Sequence, residues 1–78
     1  MKQKFNEEML YNEIENWIWY DKTLFKIYHE SGKSIRNISK LTKISATKIY
    51  KNLNANQQKI NKKFGINYQE YRKQINNK

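Results

Sequence analysis

The chain contains no proline, and its only glycines are Gly32 and Gly65. Nothing but caps and those two positions is therefore available to interrupt a helix. The apolar residues recur at the three- and four-residue intervals of amphipathic helices, without strand-type alternation. Leu10, Ile14, Trp17 and Ile18 mark one face of a first helix over about 6–18. Asp21 is the expected N-cap of a second helix over about 22–31, with Leu24, Phe25, Ile27 and Tyr28 on its apolar face. Gly32 falls at its C′ position, where a left-handed backbone is cheap without a Cβ. Ser34 is placed to cap a short third helix carrying Ile35, Ile38 and Leu41. Ser45 is placed to cap a fourth carrying Ile49, Leu53 and Ile60, which Gly65 ends. Asn67-Tyr68-Gln69-Glu70 reads as an asparagine variant of the capping box. It opens a C-terminal helix over about 67–76, with Tyr68, Tyr71 and Ile75 on one face, and Asn76-Asn77-Lys78 are expected to fray. The expected fold is all-α: one domain over 1–78, a small bundle of four to five helices.

At 78 residues the chain lies near the lower limit for a free-standing core, and only 37% of it is hydrophobic. A large enzyme with a deep cleft is excluded by size. There is no cysteine, hence no disulfide framework, thiolate nucleophile or Cys-type zinc site, and a single histidine, His29, excludes a two-histidine metal site. No nucleophile–base pair or metal constellation is visible, so neither catalysis nor a cofactor is expected. No run approaches the ~18 apolar residues of a membrane span, and the start from Met1 to Glu8 lacks the apolar core of a signal peptide. A cytoplasmic protein with no membrane partner is the expectation.

The charge is large and uneven. Sixteen Lys+Arg oppose seven Asp+Glu, for +9. Residues 1–21 hold Lys2 and Lys4 against Glu7, Glu8, Glu13, Glu15 and Asp21, which is −3; residues 22–78 hold fourteen cations against Glu30 and Glu70, which is +12. A polyanion is the natural partner of such a body, and nucleic acid is the commonest polyanion. Fourteen Lys, eleven Asn and ten Ile stand beside only two Arg. All three have AT-rich codons, so genome composition accounts for part of the preference for Lys; the charge acts whatever its origin.

The informative stretch runs from Lys33 to Leu53, KSIRNISKLTKISATKIYKNL. Two serine-capped helices are separated by a very short link. Ile35, Ile38, Ile44, Ile49 and Leu53 face one core, and Ile44 can plug it at the turn. The small Ser39 sits where a second helix crosses closely. This is the physical pattern of a helix-turn-helix, in which the first helix supports the second and the second projects its polar face outward.

The same residues resemble the helix-turn-helix of sigma-factor region 4 and of small phage regulators. Ser34, Ile38-Ser39, Lys43-Ile44-Ser45, Ile49 and Leu53 hold the positions of that pattern, and Trp19 to Tyr28 is similar to the helix that precedes it in small phage proteins. The resemblance covers about residues 19–54 and implies a helix-turn-helix core over about 21–60. Two residues depart from the pattern: Lys43 stands where glycine is usual and Ser39 where alanine is usual. A side chain in a left-handed turn costs ~1 kcal/mol, and a serine is accommodated if its hydroxyl bonds back to the helix. The resemblance implies that the second helix is the recognition helix. Ala46, Thr47, Tyr50 and Lys51 would then meet base edges: Lys51 as a donor to guanine, Thr47 and Ala46 as contacts to a thymine methyl. Lys33, Ser34, Arg36, Lys40, Lys43, Ser45, Lys48 and Asn54 would meet the phosphate backbone, which positions rather than specifies.

Other features have plainer readings. Trp17, Trp19, Tyr20, Phe25 and Tyr28 have the spacing of core residues rather than of a base-stacking platform, with Trp19 the one expected to be partly exposed. Lys59, Lys62, Lys63 and Lys73 read as a solvated face, as do Glu7, Glu8, Glu13 and Glu15. His29 reads as a last-turn residue at the negative end of its helix. Tyr68, Tyr71 and Ile75 can dock on the body or on another subunit. The function expected is double-stranded DNA binding, as a phage or bacterial transcription regulator or sigma-like factor, with RNA polymerase a further partner. One alternative is the DNA-recognition module of a phage small terminase subunit, a homo-oligomer that meets a packaging ATPase. Another is a protein-interaction module that inhibits a host enzyme.

Overall fold

The computed structural model describes residues 5–76, folded as α1 Glu7–Ile14, α2 Trp19–Ser31, α3 Ile35–Thr42, α4 Ala46–Phe64 and α5 Tyr68–Asn76, with no strand among them. The all-α expectation is met with five helices. The fraying expected at Asn77 and Lys78 falls outside the described residues, while α5 runs through Asn76.

Asn6 opens α1: its side chain accepts from Met9 N at 3.0 Å, and Glu7 and Glu8 occupy the first turn, where the helix dipole favours negative charge. The helix stops at Ile14, short of the expected 18. The reason lies in Asn16 and Trp17. Asn16 N bonds Glu13 O and Trp17 N bonds Ile14 O, three-residue bonds that tighten the chain out of the α ladder. The Asn16 side chain also donates to Asn12 O at 3.2 Å, competing for a ladder carbonyl. The tightened turn lays Trp17 edge-on against Phe25, with ring centroids 5.2 Å apart. Ile18, expected on the core face, is instead 68% exposed and supplies an extended N-cap to α2 without a side-chain bond. Consequently α2 starts at Trp19, and Asp21 is not its cap. Asp21 lies in the first turn, and its carboxylate accepts from Asn52 Nδ2 of α4.

The glycines act where the sequence places them. Gly32 ends α2 at φ 67° and Gly65 ends α4 at φ 64°. Ile66 N then reaches Asn61 O and Tyr68 N bonds Asn61 Oδ1, which reverses the chain into α5. Glu70 N donates to the Asn67 side chain at 3.2 Å, the Asn67 half of the expected capping box. α4 packs on α2, α3 and α5, while α1 and α3 both pack on α2. Leu10, Ile14, Leu24, Phe25, Tyr28, Ile38, Ile49, Leu53, Ile60 and Tyr68 form the core. Tyr68 is fully buried against Phe25, so α5 docks on the body. Leu41, assigned above to the apolar face of α3, is 61% exposed. The inward face of α3 is the buried Ile38 flanked by the half-buried Ile35, Ser39 and Thr42, and Leu41 falls outside that arc.

The link from α3 to α4 is Lys43-Ile44-Ser45. Lys43 is left-handed at φ 62°, the one described non-glycine residue with positive φ, and its N–H bonds Ser39 O at 2.8 Å. Ser39 Oγ donates to Ile44 O at 2.6 Å, so its hydroxyl bonds forward to the turn and not back to the helix as expected. Thr42 Oγ1 donates to Ile38 O and accepts from Ile44 N. Ser45 then caps α4 by accepting from Lys48 N at 3.2 Å. Two hydroxyls thus satisfy the backbone of a very short turn.

Two outcomes follow for stability, both read by chemical denaturation. Ile49→Ala empties a fully buried site and should cost about 2–5 kcal/mol, whereas Leu41→Ala should stay within about 0.5 kcal/mol of the parent. Lys43→Gly should be neutral or stabilising by up to ~1 kcal/mol, since glycine carries no penalty at this φ.

Candidate nucleic-acid interface

The exposed side of α3, the turn and α4 carries every residue assigned above to DNA. Lys33, Ser34, Arg36, Lys40, Lys43, Ser45, Ala46, Thr47, Lys48, Tyr50, Lys51 and Asn54 are all exposed. Helical geometry distributes them. On α4, Ile49 and Leu53 are buried, so Thr47, Lys51 and Asn54 lie on the opposite side. Ala46 and Tyr50 flank them on one edge and Lys48 on the other. Tyr50 is 58% exposed although it is large and aromatic. Lys33 and Ser34 precede α3, where Ser34 accepts from Asn37 N at 3.3 Å; Arg36 and Lys40 lie on the α3 surface.

The electrostatics follow from where the acids go. No Asp or Glu lies between Glu30 and Glu70. Glu7, Glu8 and Glu15 lie on a solvated face as expected, and Glu7 and Glu15 also have side-chain partners there; Glu13 alone of the four is partly buried. Glu13 accepts from Lys63 Nζ and Trp17 Nε1; burial pushes its carboxyl up, but these two bonds outweigh it and hold the carboxyl below the ordinary range. Lys63, expected on a solvated face, is thereby paired. Glu15 accepts from Lys26 at 3.0 Å and Lys22 at 3.3 Å, and those bonds lower it. Lys59 lies over the Trp17 ring. Among the described residues, Lys33, Arg36, Lys40, Lys43, Lys48 and Lys51 enter no salt bridge. From Lys33 to Lys51 the chain thus carries six exposed cations without an ion pair among the described residues and no acid, while Glu13 and Glu15 are engaged by Lys63 of α4 and by Lys22 and Lys26 of α2.

Three sets of polar ties within the fold were not read from the sequence. Arg72 of α5 stacks on the Tyr28 ring at 3.7 Å and donates to Tyr28 O at 3.0 Å and Lys33 O at 2.8 Å. It thus ties the end of α2 to the residue just before Ser34. The scarcity of arginine was a signal: a two-carbonyl clamp needs the planar, multi-donor guanidinium that lysine lacks. Asn52 donates to Asp21 and accepts from Asn56, which is itself buried, and so fixes α4 against α2. His29, read above as a last-turn residue, is also the buried centre of a chain of side chains from α1 to α5. Its Nε2 donates to the Glu7 carboxylate at 2.8 Å, and its Nδ1 lies 2.9 Å from the Tyr68 hydroxyl, whose ionisation burial pushes well above the usual range. No polar signature distinguishes these long-range partners in one dimension.

The aromatic residues divide as expected. Trp17, Tyr20, Phe25 and Tyr28 pack in or against the core, and Trp19 is 73% exposed. Among the described residues, no group of three or more His, Asp or Glu side chains is arranged to hold a metal ion, and no helix is long and apolar enough to cross a membrane. No family model matches the chain, and neither a curated protein nor a solved structure is significantly similar to it.

Proposed function

We propose that this protein binds double-stranded DNA through a helix-turn-helix formed by α3, the Lys43–Ser45 turn and α4. The observation that carries this reading is the charge of residues 33–54: six exposed cations that enter no salt bridge among the described residues, in a stretch without a single acid between Glu30 and Glu70. α4 acts as the recognition helix, with Ala46, Thr47, Tyr50 and Lys51 toward the bases. Lys33, Ser34, Arg36, Lys40, Lys43, Ser45, Lys48 and Asn54 hold the backbone. The role is that of a non-catalytic phage- or bacterial-type transcription regulator in the cytoplasm, and the exposed Ile18 and Trp19, away from the cationic surface in sequence, offer room for a protein partner such as RNA polymerase.

Titration with random duplex DNA across salt concentrations tests the electrostatic part. With about five phosphates neutralised, the log–log slope should be roughly −4 to −5. A flat response removes the DNA-binding reading and favours a protein-interaction module; a salt-dependent response from a stable ring oligomer favours genome packaging. Selection of a preferred site tests the recognition part. Lys51→Ala should then weaken the selected site by about 1–3 kcal/mol with little loss on random duplex, while Lys40→Ala should weaken both and reduce the salt slope by about one.

A further inference from the structure

Resting on the DNA-binding reading above, we infer that the exposed strip of α4 selects A·T pairs by packing against thymine methyl groups in the major groove. The strip has few of the groups that read G·C pairs. Cytosine N4 is a donor and calls for a carboxylate acceptor, yet no Asp or Glu lies between Glu30 and Glu70. Guanine is read best by the fork of an arginine. α4 has none; Arg36 belongs to α3, and Arg72 is occupied by the carbonyls of Tyr28 and Lys33. Lys51 alone on this strip offers a single-point donor to guanine.

The remaining chemistry is that of A·T pairs. Ala46 presents a methyl, Thr47 a methyl beside a hydroxyl, and Tyr50 a ring that is 58% exposed between Lys48 and Lys51 in sequence. Core packing does not account for that ring, whereas a methyl-lined groove gives it an apolar partner. From Ala46 to Tyr50 the helix rises about 6 Å, comparable with two base-pair steps of about 3.4 Å. Two neighbouring thymines are therefore within the span of these three side chains.

Replacing deoxythymidine by deoxyuridine removes the C5-methyl and leaves Watson–Crick pairing intact. The test compares fluorescently labelled duplexes of equal length: alternating A·T, the same duplex with deoxyuridine, and alternating G·C, each titrated at several salt concentrations with the full chain and with Thr47→Ser. The thymine duplex should bind tightest. Loss of the methyl should cost about fourfold per contact, or about fifteenfold for two, the affinity equivalent of one and two buried methyl-sized groups. Thr47→Ser keeps the hydroxyl and removes only the methyl, so it should lose affinity on the thymine duplex and not on the deoxyuridine duplex. Equal salt-dependent binding to all three duplexes, or preference for G·C, overturns the inference and leaves DNA binding in place. An A·T preference that survives deoxyuridine assigns selectivity to groove shape and also overturns it. Absence of salt-dependent binding to any duplex overturns the DNA-binding reading and this inference together.

Discussion

Lys43 is held at φ 62° at a cost of about 1 kcal/mol relative to glycine, and the arrangement of the proposed interface depends on that backbone. A left-handed residue at this point turns the chain sharply enough for α4 to cross α3 after only three residues. Ile44 is carried inward against the core by the same turn. Its carbonyl and N–H, half-buried and without a helical partner, are met by the Ser39 and Thr42 hydroxyls. The rotational phase of α4 is thereby set. Ile49 and Leu53 point into the core, so Thr47 and Lys51 must point out. A link one residue longer or shorter would rotate α4 by about 100° and exchange Ile49 for Lys48 or Tyr50 in the core.

That phase becomes useful because of where the counter-charges are. A chain with seven acids and sixteen Lys and Arg has enough carboxylates to neutralise part of any surface. Here Glu13 and Glu15 are taken up by Lys22, Lys26 and Lys63, and Glu7 by His29. None of these pairs involves a cation of α3, the turn or the start of α4. Exposed ion pairs contribute little to stability. Their placement matters more here: Glu13 meets Lys63 in the last turn of α4 and Glu15 meets Lys22 and Lys26 of α2, so neither pairs with a cation from Lys33 to Lys51.

Helix identity was legible in the sequence because caps and glycines are local signals. Ser34, Ser45, Gly32 and Gly65 act as their types dictate, and the apolar period located Ile38, Ile49 and Leu53. The errors have a common cause. Ile18, Leu41 and Asp21 are each locally compatible with the roles first assigned to them, a core position twice and a cap once. Tertiary partners decide otherwise: Phe25 draws in Trp17 and the chain turns early, Ser39 rather than Leu41 faces inward and bonds the turn at Ile44, and Asn52 engages Asp21. The surface residues from Lys33 to Asn54 were legible because exposure is the complement of the buried period. Arg72 and the chain from Glu7 through His29 to Tyr68 were not, because their partners lie far away in sequence and polar residues carry no period of their own.

The cationic surface also explains why so small a core spends positions on polar contacts. Six unpaired cations repel one another and destabilise the compact state. The repulsion acts on the α3–turn–α4 unit, and its consequence would be to loosen that unit from α2 and α5. Non-directional apolar contacts resist separation but allow sliding. The polar ties fall at the places where sliding would matter. Asp21–Asn52–Asn56 fixes α4 on α2, and Arg72 fixes the start of α3 to the end of α2 through two carbonyls. Gln69 of α5 bonds the buried Gln57 of α4. Each tie is directional, so it specifies register as well as association, and among the described residues no buried side-chain polar atom is left unpaired. On binding a polyanion the repulsion would be relieved while the ties remain, so the surface is shaped before its partner arrives and little ordering is left to oppose binding.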